Sequence, residues 1–166
     1  MSTDNLDHTK AIHKLKDLIK DIKVGMLLTD VKKTPISAVP MTTKKVDDDG
    51  TIWFLSGLSS EHNTNIAKNA KVQMLYSHPG DMKFLSVYGK ADIVTDKDIL
   101  SDLYSKVDDA WFTGKEDPNL TAIKVTPQEA YYWDTKTNKY VSLFKIGISA
   151  LNGGKADIGK KGKLEL

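Results

Sequence analysis

Residues 56–77, SGLSSEHNTNIAKNAKVQMLYS, place a polar half-segment between two apolar runs. Upstream, TIWFLSG (51–57) reads as a strand bounded by Gly50 and Gly57. Downstream, VQMLYSH (72–78) reads as another strand. The SSEHNTNIAKNAK between them predicts a short helix, with Ser59 or Ser60 as its N-cap and Glu61 complementing the dipole of its first turn. Two readings account for the crowding of Ser56, Ser59, Ser60, His62, Asn63, Thr64 and Asn65. One is a capped loop that starts a helix and needs no ligand. The other is a seat for an anion, because a helix N-terminus offers free N–H groups and partial positive charge. The serines and asparagines would then add donors, and His62 a charge-assisted bond.

Working outward, residues 5–22 place Ile12, Leu15, Leu18, Ile19 and Ile22 at three- and four-residue spacing, which predicts an amphipathic helix. VGMLLTD (24–30) reads as a buried strand, and TPISAVPMTT (34–43) as an extended segment whose Pro35 and Pro40 point to a sheet edge or a bulge. VDDDG (46–50) and PGD (79–81) are turns. KFLSVYGKADIVTD (83–96) predicts a long strand with Gly89 at a bulge. A helix is expected over 97–107, and a strand broken at Pro127 over 120–134. Residues 139–153 give a mixed signal, and the Gly/Lys-rich tail from 153 to 166 is expected on the surface. The expectation is therefore one domain over 1–166, mainly β with flanking helices. Long helical crossovers are absent between most strands, so the sheet should be mainly antiparallel. So many strands in a short chain suggest a barrel, because closure removes exposed edges.

A chain of 166 residues can bury roughly 68–70% of its unfolded surface. It has no cysteine, which excludes disulfides and thiolate metal sites. The first twenty residues lack an apolar signal core and no run is long enough to cross a membrane, so a cytoplasmic location is expected, with no membrane partner. A net charge of +2 does not by itself call for nucleic acid. Every one of the 24 basic residues is lysine. Arginine, the usual bidentate clamp for phosphate, is absent. Any anion must be held by lysine, hydroxyls, amides, histidine or backbone N–H groups.

His8 and His13 diverge on the first helix and His78 sits in a turn, so these three read as surface histidines, and no spacing predicts a metal site. Lys44-Lys45 and Lys160-Lys161 read as solvated, with the acidic run Asp47–Asp49 arguing against a nucleic-acid patch. Trp53, Phe54, Tyr76 and the run Tyr131-Tyr132-Trp133 read as core. Trp111-Phe112, which follows a helix and ends in a Gly loop, reads as an interface or a ligand contact. No nucleophile elbow, Walker loop or dinucleotide glycine motif is present.

The blocks GTIWFLSGLSSEHNTNIAKNAKVQMLYSHPGDMKFLSVYGKADIVTDK (50–97) and AWFTGKEDPNLTAIKVTPQEAYYWD (110–134), in that order, resemble the general-stress branch of the pyridoxamine 5′-phosphate oxidase-like flavoproteins. The likeness runs from about residue 10 to the C-terminus. It implies an FMN-binding split β-barrel of antiparallel, Greek-key type and a homodimer with flavin at the interface. It also implies an oxidoreductase with a general-stress role, whose electron donor would be a reduced nicotinamide and whose small-molecule substrate is not specified. The alternative is a non-catalytic dimer that kept the barrel while losing or weakening its flavin. FAD, haem or deazaflavin are the other ligands such a slot accepts.

By resemblance, the strand 36–43 lies against the flavin. The family commonly has Arg-Pro-Met there, where this chain has Val39, Pro40 and Met41, followed by Thr42 and Thr43. Leu55 and Ser56 correspond to the segment beside the ribityl chain and ring. A phosphate-binding Ser-x-Lys is replaced by Ser60, Glu61 and His62. Trp111 is the counterpart of a contact near the flavin or dimer seam. Two expected cations are therefore missing, and the candidate replacements from the helix are Lys71 and, less favourably because it lies two turns on, Lys68. FMN phosphate carries a charge of about −1.5 to −2. Each lost charged hydrogen bond would cost about 1.5–3 kcal/mol.

Overall fold

The computed structural model describes residues 2–135 and 159–166. The first helix, α1 (His8–Ile22), buries Ala11, Ile12, Leu15, Leu18 and Ile19 along one stripe. A two-residue strand, β1 (Ser2–Thr3), precedes it, so the N-terminal 22 residues are not helical throughout. The strands β2 (Val24–Thr29) and β3 (Ser37–Thr42) form an antiparallel pair. Then come the short β4 (Lys45–Val46), β5 (Ile52–Gly57), α2 (Glu61–Lys68) and β6 (Lys71–His78). A 3-10 turn at Pro79–Asp81 leads into β7 (Lys83–Val94). The chain continues through α3 (Lys97–Leu103), a 3-10 helix at Lys106–Ala110 and β8 (Leu120–Thr135), and closes with β9 (Gly159–Leu164).

The described strands form a single mixed sheet in the order β1-β9-β8-β7-β6-β2-β3, with β5 branching from β8 and β4 paired to β5. Every strand pairing is antiparallel except β1 with β9. The length of β8 produces the branch: residues 120–125 pair with β5 and residues 130–135 with β9, while β7 runs along both halves. The sheet curls until β3 approaches β5, but no hydrogen-bonded ladder joins them. Among the described residues the barrel expected from the strand count is thus not closed, and β3 is an edge. Pro40 sits there, where a missing N–H costs no ladder bond.

The main core gathers Ala11, Leu15, Leu18 and Ile19 of α1 with Leu27, Ile52, Phe54, Met74, Tyr76, Val87 and Tyr132. A second cluster holds Trp53, Leu100, Leu103, Leu120 and Ala122 beneath α3. Glycine is required at three close approaches among the described residues, one of them Gly162, where a Cβ would strike the Asp4 carbonyl. A Cβ on Gly25 would stand 2.8 Å from the Tyr76 ring, and one on Gly89 would strike the Thr126 carbonyl.

Several expectations need correction. The strand β2 is not buried throughout but alternates, leaving Val24 48% and Met26 40% exposed on the outer face. The helix expected over 97–107 stops at Leu103, and a separate 3-10 turn follows. Pro127 does not break β8. It lies opposite Gly89, and the register skips Gln128 there, so a bulge absorbs the missing N–H. The tail is not wholly superficial: β9 pairs with β8 and β1, and Leu164 is fully buried. The segment 139–153 and the first part of the tail lie outside the described residues.

Candidate functional site

The gap between β3 and β5 is the mouth of a groove of about 580 Å³. That lies within the roughly 300–1,000 Å³ usual for small-molecule sites. Pro40, Met41 and Thr42 wall it on the β3 side, and Leu55, Ser56 and Gly57 on the β5 side. His62 of α2, Val24, Lys44 and Asn119 complete the sides. The segment after α3 supplies Val107, Asp108, Trp111 and Phe112.

Local chemistry fixes the start of α2. Ser60 is the N-cap, and its hydroxyl accepts from the Asn63 amide at 3.3 Å. The Thr64 amide donates to the Ser60 carbonyl. The amides of Glu61 and His62, one and two residues into the helix, have no intrahelical acceptor. Asn119 anchors the preceding loop: its Oδ1 accepts from the Ser59 amide at 3.0 Å and the Ser59 hydroxyl at 3.1 Å. His62 lines the groove, and its Nε2 is fully buried without a hydrogen-bond partner among the described residues. Burial pushes its imidazole below the ordinary range, and the Glu61 carboxylate offsets this only in part.

The polar groups on β5 are committed inward. The Ser56 hydroxyl donates to Asn63 Oδ1 at 2.9 Å, Asn63 Nδ2 donates to Thr121 Oγ1 at 2.9 Å, and the Thr121 hydroxyl donates to the Ser56 carbonyl at 2.9 Å. All three residues are buried. Ser56 has a single hydroxyl hydrogen, and Asn63 takes it, so toward the groove Ser56 can only accept.

Lys44 is the only cation lining the groove among the described residues. Its ammonium lies 2.7 Å from Asp108, and only 15% of its side chain is exposed. It is not the solvated lysine that the sequence predicts. Asp108 also accepts from the Ser105 amide and hydroxyl. Burial pushes the Asp108 carboxyl up, but the Lys44 and Ser105 bonds outweigh it and hold the carboxyl below the usual range.

Of the residues singled out from the sequence, Pro40, Met41, Thr42, Leu55, Ser56, His62 and Trp111 come together at the groove. Val39 turns away and packs against the main core. Thr43 bonds the Tyr76 hydroxyl at 2.8 Å, Ser60 is occupied as a cap, and Glu61 is exposed. Lys68 and Lys71 are exposed and do not line the groove. Trp111 stands at the mouth, 72% exposed beside Val107 at 73%. Asn119, Lys44 and Asp108 escaped sequence reasoning. Their partners lie about sixty residues away, and no local pattern announces such pairs. No group of three or more metal-ligating side chains occurs among the described residues. No helix there is long and apolar enough to cross a membrane.

Comparison with known proteins identifies the family. The model of the family described as pyridoxamine 5′-phosphate oxidase like matches residues 10–157. General stress protein 26 of Bacillus subtilis (strain 168) is 29% identical over 134 residues, 78% of this chain and 93% of the relative. A Jannaschia sp. CCS1 protein provisionally called general stress protein 26 superposes with a TM-score of 0.76 at 25% identity, covering 96% of this chain and 99% of its own. The general stress FMN/FAD binding protein of Xanthomonas citri gives a TM-score of 0.66 at 25% identity, covering 78% of this chain and 92% of its own. With most of its length matched by one family model, the chain belongs to the pyridoxamine 5′-phosphate oxidase-like family.

Proposed function

We propose that the protein is a homodimeric FMN-binding flavoprotein of the oxidoreductase type with a general-stress role, its cofactor lying in the groove between β3 and β5. The observation that carries this reading is that His62, a residue of the groove wall, has an Nε2 that is buried without a partner among the described residues. Leaving such an atom unpaired costs about 1–3 kcal/mol. A phosphate oxygen would relieve that cost, and the free amides at the start of α2 point to the same anion. The apolar stretch Pro40, Met41 and Leu55 suits a flat ring. Because β3 is an edge, alternate backbone groups of 37–42 face the seam and can hydrogen-bond that ring. The flavin, when bound, supplies the electron-transfer chemistry, and the chain supplies binding and orientation. The Xanthomonas citri relative, described as binding FMN/FAD, supports the assignment.

The dimer follows from the outer face of β2, β3 and β6. Val24, Met26 and Leu75 are 40–48% exposed there, with Met26 paired to both Leu75 and Pro40. Contiguous exposed apolar surface beside a site marks an interface. Val24 belongs to both the face and the groove wall, so a second copy seated there would cover the cofactor. Titration of FMN by fluorescence quenching tests the cofactor, with saturable micromolar or tighter binding expected and none refuting it. Sedimentation equilibrium tests the dimer.

One observation favours the second reading, a dimer with weakened flavin binding. The sole groove cation is tied to Asp108, and the Ser56 donor is spent on Asn63. The same titration separates the two readings, since the second requires no saturable quenching at micromolar FMN.

A further inference from the structure

Next to the groove, between the C-terminal end of α1 and the β3–β4 connection, lies a second cavity of about 340 Å³. Five lysines line it: Lys16, Lys20, Lys23, Lys44 and Lys45. Ile19 and Val46 form an apolar floor, and no carboxylate lines the cavity among the described residues. Five of 24 basic residues converge here in a chain whose net charge is only +2.

Three of these ammonium groups have acidic partners outside the lining. Lys16 meets Asp48 at 2.6 Å, Lys44 meets Asp108 at 2.7 Å, and Lys45 is shared between Asp47 at 3.4 Å and Asp102 at 3.3 Å. The pairs of Lys16 and Lys45 reach into solvent, where such pairs are weak and easily exchanged. Lys20 and Lys23 have no ion-pair partner among the described residues, although Lys20 sits in the last turn of α1 and Lys23 is its C-cap. That helix end contributes roughly half a negative charge. The helix end offsets part of the two free ammonium charges but cannot cancel both.

We infer that this cavity is a separate site for an oligophosphate anion of the pyrophosphate class. Lysine holds phosphate as a point charge and needs no planar fork, which suits a chain without arginine. A single carboxylate would answer only one of the two unpaired lysines, Lys20 and Lys23, whereas two linked phosphates can answer both and compete for the solvent-exposed pairs of Lys16 and Lys45. The apolar floor and the lysine stems leave room for an organic group attached to the phosphates. Lys44 lines both this cavity and the groove, so an anion held here stands beside the groove ligand. The inference rests on the cavity alone and does not require that the groove binds flavin.

Calorimetric titration of the full chain with inorganic pyrophosphate at low ionic strength tests it. Saturable binding that weakens with added salt is expected, because exposed charge attractions are screened. The double variant Lys20→Gln/Lys23→Gln should bind pyrophosphate roughly tenfold more weakly. Its circular dichroism and FMN titration should match the parent, because both lysines are exposed and lie outside the groove. Absence of saturable pyrophosphate binding, equal binding by the double variant, or equal competition from sulfate at matched ionic strength would overturn the site. Competition between pyrophosphate and a reduced nicotinamide dinucleotide would assign the anion to the dinucleotide. Pyrophosphate binding without that competition would assign it to free oligophosphate.

Discussion

Replacing His62 by alanine is the most direct test of how an arginine-free chain could hold a phosphate. In the structure Nε2 is buried without a partner among the described residues, and burial favours the neutral ring. Binding a phosphate beside it would reverse that preference, since a nearby anion raises an imidazole pKa. Binding therefore takes up a proton, and affinity falls as pH rises between the pKa of the free protein and that of the complex. Where the ring is charged in the complex, the lost bond costs about 1.5–3 kcal/mol, or about tenfold to 150-fold in Kd for FMN. A neutral bond is about half as strong. The penalty for His62→Ala should therefore be large near about pH 6 and shrink to a few-fold near about pH 8. The free protein carries a linked signature. The folded pKa lies below the unfolded value, so the unfolded chain protonates first on acidification, and stability falls as pH drops through the ordinary histidine range. His62→Ala should remove that contribution, read as a flatter urea midpoint against pH. Fluorescence titration at the two pH values decides the binding claim. Equal FMN affinity of variant and parent at both, or a penalty that grows with pH, would refute the reasoning.

Four other substitutions probe the surrounding frame. Lys44→Met strands Asp108, whose side chain is only 10% exposed, and should cost about 1–3 kcal/mol in urea unfolding. Asp108 is held below the usual carboxylate range, so its stabilisation is present above that range and lost as pH falls through the lowered value, and the penalty should shrink from about pH 6 to about pH 3. Asn63→Leu leaves Ser56 and Thr121 without their shared partner and should cost about 1–3 kcal/mol, measured by the same unfolding. Gly89→Val drives a side chain into the Thr126 carbonyl and should cost about 1–3 kcal/mol. In a melting experiment on a chain of this size, each kcal/mol corresponds to about 2–4 °C of Tm. Met26→Lys places a charge on the exposed face of β2 and should shift sedimentation toward the monomer without lowering Tm.

What the sequence made legible is what neighbouring residues decide. The apolar spacing of α1, the Ser60 cap, the turn at Gly50 and the bulge at Gly89 are set within a few positions, and the structure has each of them. Reading failed where a distant strand changes the meaning of a residue. Pro127 looks like a break until Gly89, on the neighbouring strand, supplies the irregularity that accommodates it. GKKGKL has neither β-branched residues nor alternating hydrophobicity, yet β8 and β1 make it a strand, and one buried leucine, Leu164, ties it to the core.

The same division runs through the groove. The residues gathered from β3, β5 and the start of α2 lie on elements whose existence was readable, so their convergence follows once the sheet curls. The direction in which each polar group points was not readable. Ser56 and Lys44 both line the groove, yet Asn63 takes the hydrogen of one and Asp108 holds the charge of the other. Nothing in the sequence marks either group as taken, but hydrogen-bond accounting among the described residues leaves only His62 Nε2 with an unmet need. An anion in this groove would therefore depend on one titrating side chain and backbone amides rather than on a fixed cation. Lys44 could join only by giving up Asp108, a carboxylate that would then lie nearly buried with Ser105 as its remaining partner. That exchange is costly for a buried acid, so the pH dependence of binding should belong to His62.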